Sequence, residues 1–397
     1  MENKERSGDM NSKILNVNGL FYKMPQPLST SIVSTWKKQY ASRNEYEPSQ
    51  TVVFDLNCNA AVDPKKSYFK VNVLGLLSDS VLNAGVMSCI REVRILSKNG
   101  AELDRISNFN HWGHYYSRNM IPLETYDDDS VIAGFGATIV TTTATTFILP
   151  LHYLSGLFRP YGGVKLPPQL LSGCRIEMVL EDANNALTAG AAASYRWLNP
   201  EIQLYEHTLS DTSLKVLSSE SANNGLEITY PRVFVVSEVQ GTNEQYDTQI
   251  KKAVSQCTQV ITVPKLTSDQ NNLSENSFRS IVSTAFSKFQ FRLASSYFPN
   301  QEINDVREAY QVSRSVKPLK NGMKALTDLG EYESEDFFVG SIIKTDGDIS
   351  SSGLAINNSA SLAIKVETTG GLNKTFFTFM EYTALARCFL SQTSVKI

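Results

Sequence analysis

Histidine is scarce in this sequence, charge is low, and the cysteines follow no pattern. The chain holds 4 histidines, and 19% of its residues are charged against 42% hydrophobic. Cys58, Cys89, Cys174, Cys257 and Cys388 are scattered, odd in number and without a CxxC pair. That spacing argues against a disulfide framework or a zinc site, and for reduced, buried thiols in a cytosolic or nuclear product. The opening "MENKERSGDM" is charged and has no apolar core, so a secretory signal is not expected. GxSxG, HExxH and GxxxxGK[ST] are all missing, and no cysteine stands beside a plausible base. No catalytic, cofactor-binding or metal-ligating residue is assigned, and no cofactor or small-molecule substrate is expected.

Long apolar runs are also few. From Ser130 to Phe158, "SVIAGFGATIVTTTATTFILPLHYLSGLF" contains no Asp, Glu, Lys or Arg. Thr141, Thr142, Thr143, Thr145 and Thr146 dilute it and Pro150 interrupts it, so two buried strands are expected there in place of a membrane-spanning helix. A net charge of −3 gives no global attraction to nucleic acid or anionic membranes.

What is present is strand texture. The 17 tyrosines and 19 phenylalanines, with abundant Thr and Val, suit a pleated, half-buried surface. "TVVFDLNC" and "SYFKVNVLGLL" read as strands. "REVRILSKNGAELDRI" reads as a hairpin, with Asn99-Gly100 expected to supply both positive-φ residues of a type I′ turn. "SNFNHWGHYYSRN" reads as a helix capped by Ser107. In "FRPYGGVKLPPQLLSGCRIEMVLEDA", Pro160, Gly162, Gly163, Pro167 and Pro168 turn the chain, and Cys174, Ile176, Met178 and Leu180 form one face of a strand. The glycines open no helix, so this is a corner and not a phosphate cradle.

A second cycle follows the polar joint "SSESANNG". "YPRVFVVSEVQG" and "TQVITVP" open it, "AFSKFQFRLASSYFPNQEI" is a strand running into a Pro turn, and "DVREAYQVSRSVK" has helical spacing. "SASLAIKVETTGG" alternates and "TFFTFMEYTALARCFL" closes the chain. Each half is expected to carry a single short helix. Strands at this spacing, without alternating helices, indicate an all-β architecture. A chain this long exceeds one hydrophobic core. The expected divisions are an N-terminal basic arm over 1–47, a first jelly roll over 48–217 and a second over 218–397. The arm has Lys13, Lys23, Lys37, Lys38 and Arg43 and no acid from Met10 to Asn44. Within it, "STSIVSTWKKQY" is expected to form a short helix anchored by Trp36.

Two further features carry weak chemical signals. His111 and His114 sit among Trp112, Tyr115 and Tyr116, which favours packing or an interface over metal binding. Asp127, Asp128 and Asp129 make one acidic turn, read as solvated surface before a calcium site.

Taken in order, "REVRILSKNGAELDRISNFN", "FILPLHYLSGLF…VKLPPQLLSGCRIEMVLEDA", "NPEIQLYEHTLSDT", "QFRLASSYFPNQEI", "REAYQVSRSVK" and "SGLAINNSASLAIKVE" resemble the double jelly-roll major capsid proteins, most of all those of virophages and Polinton-like viruses. The resemblance covers residues from about 50 to the end. It implies two tandem jelly-roll β-sandwiches with short helices in loops, and a non-enzymatic capsid protein of a DNA virus, located in the virion. It further implies a homotrimer of pseudo-hexagonal outline that tiles an icosahedral shell and contacts neighbouring capsomers, penton and minor capsid proteins. The arm would meet the virion interior, either DNA or an inner membrane. A carbohydrate-binding or carbohydrate-active jelly roll is the alternative.

Overall fold

The structure is a computed structural model. It describes residues 15–17, 20–22, 33–121, 123–208, 215, 219, 221–223, 225–281, 283–316, 328–343, 354–356, 361–389 and 393–396. The strands of 33–207 form one set of sheets and those of 226–396 another.

In the first set, strands β1 (Ser34–Tyr40), β2 (Thr51–Asp55), β3 (Tyr68–Leu76), β4 (Ile90–Leu96) and β5 (Glu102–Ser107) precede helices α1 (Phe109–Met120) and α2 (Leu123–Ala133). Strands β6 (Thr145–Pro150), β7 (Arg175–Leu180) and β8 (Ser194–His207) complete it. One sheet has the order β5-β4-β7-β2 and the other β6-β3-β8-β1, all antiparallel. Phe54 on β2 meets Phe69 on β3 edge-on at 6.1 Å, and Phe69 packs on Trp197 of β8, so the sheets face each other across a closed apolar core. Strict alternation builds this core. On β3, Phe69, Val71 and Val73 are fully buried while their neighbours are half-buried.

The second set repeats the plan. Strands β9 (Leu226–Gly241), β10 (Gln245–Ile250), β11 (Val254–Leu266), β12 (Phe286–Leu293) and β13 (Ser296–Ile303) are followed by α3 (Val306–Ser313) and α4 (Leu329–Ser334). Strands β14 (Val339–Ile342), β15 (Leu362–Thr368) and β16 (Lys374–Cys388) close it. Its sheets run β9-β16-β11-β14 and β10-β15-β12-β13. Tyr246 of β10 stacks on Phe376 of β16 at 4.2 Å, which marks the core between them.

Several local expectations change. The segment around Trp36 is strand β1, not a helix, and it lies in the first sandwich opposite Glu201–His207. Its period is two: Trp36 packs on Tyr68 and Tyr205 on one face, while Gln39 bonds Asn57 from the other. The β4–β5 hairpin forms, but only Gly100 of the turn has positive φ, at +80°. Gly100 N–H donates to Ser97 C=O at 2.9 Å and Ser97 N–H to Ala101 C=O at 2.8 Å. This is the longer turn that ends in a left-handed glycine, not type I′. The residue before α1 is left-handed Asn108 (φ 48°), because Ser107 remains in β5 opposite Glu92.

Between Ser130 and Phe158 the two expected strands are Ala137–Ile139 and β6, but Ser130–Ala133 belongs to α2 and helical turns follow at 151–154 and 156–158. Gly134, at φ +76°, ends α2 as Phe135 N–H returns to Ser130 C=O. Pro299 sits within β13, an edge strand where no ladder donor is required, instead of in a turn. Each half holds more than one helix. No described helix is long and apolar enough to cross a membrane.

Candidate functional site: the joint between the two sandwiches

Strand β16 shows where the halves meet. Phe376, Phe377, Phe379 and Met380 are all buried, so both faces of the strand are covered. Phe376 faces the second core. Phe377 and Phe379 point outward and meet α1 of the first half: His111 lies 4.0 Å from Phe377, and Trp112 lies 5.3 Å from Phe379 by ring centroids. Tyr115 stacks on Phe379 and meets Phe338 edge-on. The aromatic run of α1 is therefore a cover for the second sandwich. His111, Trp112 and Tyr115 all contribute to this packing role.

Three polar clasps accompany it. Arg232 of β9 reaches Asp104 and Glu102 of β5, each at 3.2 Å, and Tyr230 Oη donates to the Leu103 carbonyl. Asp104 is 1% exposed and also accepts from Ser155. Its burial pushes the carboxyl pKa up, against the pull of Arg232. Lys265 of β11 is 2% exposed and places Nζ 3.1 Å from His111 Nδ1, 2.7 Å from the Phe278 carbonyl and 3.3 Å from the Ser277 carbonyl. Arg118 of α1 pairs with Asp336 at 2.5 Å and Glu331 at 3.5 Å. The backbones also touch. A Cβ on Gly156 would stand 1.6 Å from the Pro231 carbonyl oxygen, so only glycine allows that approach.

The other two histidines, the acidic turn and the cysteines are placed elsewhere. His207 bonds Ser34 at 2.8 Å and lies 3.7 Å from Asp63 within the first sandwich. His152 packs on Tyr153, and burial lowers its pKa to about 3. Asp127, Asp128 and Asp129 lie on α2, where Asp129 accepts from Tyr153 Oη at 2.9 Å. No described group of three His, Cys, Asp or Glu could hold a metal ion. All five cysteines are buried and unpaired with one another as disulfides. Burial raises Cys58, Cys89, Cys174 and Cys257 to about 12, which leaves inert thiols. Sequence reasoning found His111 and His114 but missed Lys265, Asp104 and Arg232. A lone Lys in "TVPKL" and a lone Arg in "YPRVF" were the available signals.

No protein-family model matches the chain, and no curated protein matches it in sequence. Solved structures do. The capsid of the virus PBCV-1 superposes with a TM-score of 0.67 at 9% identity, over 95% of this chain and 99% of that one. The Faustovirus major capsid protein gives 0.65 at 8%, over 95% and 93%. The mavirus major capsid protein gives 0.52 at 9%, over 98% and 96%. The protein has the double jelly-roll fold of these major capsid proteins.

Proposed function

We propose that the protein is the major capsid protein of an icosahedral DNA virus and acts by self-assembly, with no catalytic turnover. The observation that carries this reading is the joint. Aromatic packing from α1 and the buried Arg232–Asp104 pair hold two similar sandwiches as one unit, in a fold matched over nearly the whole length of viral capsid proteins. Two clasped sandwiches per chain, repeated three times about an axis, give six similar lobes and a near-hexagonal tile. Such a homotrimer would be obligate and bury ~2,000 Å² or more per interface. Neighbouring capsomers, penton and minor capsid proteins are its partners, and the virion is its location.

The N-terminal segment is assigned to the inner face of the shell. Lys13 and Lys23 stand in a stretch free of acid, suited to nucleic acid, anionic lipid or an acidic neighbour. Residues 33–47 lie in the first sandwich, with β1 in its sheet. Deleting residues 1–32 should therefore leave thermal melting and oligomer size unchanged while lowering particle yield. Shells of normal yield and salt resistance from the truncated chain would contradict the assignment. The capsid reading itself is tested by mass in solution. Sedimentation should give a trimer near three times 44.1 kDa. A stable monomer with glycan affinity would instead support a carbohydrate-binding jelly roll.

A further inference from the structure

The Lys265–His111 contact joins two basic groups inside a closed interface, an arrangement that the packing of two sandwiches does not require. His111 is 5% exposed and Lys265 2%, and they come from different halves of the chain. An ammonium on Lys265 has three protons and three acceptors in reach: the Phe278 and Ser277 carbonyls and His111 Nδ1. The set is complete only while His111 is neutral and Nδ1 bears a lone pair. A proton on Nδ1 would face the ammonium at the same 3.1 Å and turn an attraction into a repulsion.

A cavity of about 20 Å³ adjoins the pair, lined among others by His114, Tyr115, Asn119, Lys265 and Asp336. That is room for about one water molecule. Tyr115 Oη and Asn119 Oδ1 border it, are buried, and have no hydrogen-bond partner among the described residues.

The charged and titratable neighbours are few enough to name. From α1 come His114, Tyr115 and Arg118; from the segment after β11, Asp269; from α4 and its exit, Glu331, Tyr332 and Asp336; and from β16, Glu381. Arg118 already engages Asp336 and Glu331. No carboxylate stands in hydrogen-bonding contact with His111 or Lys265 among the described residues.

We propose that this cluster is an acid-opened latch: a proton taken up by His111, opposite Lys265, parts the two sandwiches while each keeps its own sheets. The inference concerns the joint and does not depend on the capsid reading. The pKa directions agree with it. Burial first, then the Lys265 charge, holds His111 well below its ordinary 6.5, and His114 is lowered by the same burial with Lys265 and Arg118 adding. Burial lowers Lys265 to about 7 from 10.5, with Asp336 and Asp269 pulling the other way. A lowered basic group binds its proton in the unfolded or opened state before it does so in the closed one. Stability therefore falls with pH between 10.5 and about 7 through Lys265, and again from 6.5 downward through the histidines.

Full-length protein titrated from about pH 8 to about 4.5 tests this, with amide hydrogen exchange of α1 (corrected for intrinsic rate) reporting the joint and far-ultraviolet circular dichroism reporting the sheets. The expected result is loss of α1 protection at a pH where the sheet signal is intact. In His111→Asn the Oδ1 still accepts from Lys265 but cannot titrate, and the midpoint should move down by about one pH unit or more. Should that variant fail to fold, Lys265→Met removes the opposing cation and should shift the midpoint in the same direction. Simultaneous loss of both signals in the wild type, or a variant midpoint equal to that of the wild type, overturns the proposal.

Discussion

Arg232 concentrates the energetics of the joint in one side chain. It is 6% exposed and brings its charge to Asp104, which is buried as well. Such a pair need not add stability as a whole, because desolvating both ions offsets their attraction. Removing one partner is different, since the other stays buried and charged. Arg232→Met should therefore cost about 3–5 kcal/mol, read from denaturant midpoints at unchanged slope. Adding Asp104→Asn keeps a partner for Ser155 and removes the stranded charge, so the double variant should recover much of the loss. A double variant as unstable as the sum of the singles would show that the two side chains do not act together.

Individual residues of the joint were the least legible part of the sequence. Lys265 and His111 are 154 positions apart. Each sits in a segment that already makes sense alone, Lys265 as a polar interruption of a strand and His111 as part of an aromatic helix. Nothing local says that they meet. The glycines of the corner were clearer, because a backbone demand is local.

At the scale of the element, the corner at 158–174 was expected to need positive φ, and Gly162 and Gly163 have φ of +76° and +63°. A Cβ at Gly162 would meet nothing, and one at Gly163 only Lys65 Nζ at 3.4 Å. Space is therefore no obstacle, and the cost of substitution is backbone strain. Replacing both with Val should cost ~1–2 kcal/mol per position and lower the melting temperature without changing the fold. Unchanged melting would show that the corner relaxes freely.

Strands with one buried face were readable for the same reason that the corner was. The alternations of β7 and β15 depend only on neighbours in sequence and appear as expected, and β3, expected as a strand, alternates in the same way. Strand β1 was misread because Trp36 and Tyr40, which are 51% and 69% exposed, gave it no buried apolar face to reveal its period. Strand β16 showed the opposite difficulty. Its run "TFFTFMEY" signals burial on two sides, yet says nothing of what covers the second side. The cover is α1, from the other half of the chain.

For the whole molecule, the two-cycle order of textures was visible in the sequence, while the clasp that turns two sandwiches into one unit was not. That clasp sets how the lobes stand relative to each other, and so the outline of any assembly built from them. Negative-stain electron microscopy of the purified protein tests the central claim most directly. The capsid account predicts uniform particles with a near-hexagonal, six-lobed projection, three chains each giving two lobes. Isolated two-lobed particles at micromolar concentration would contradict it.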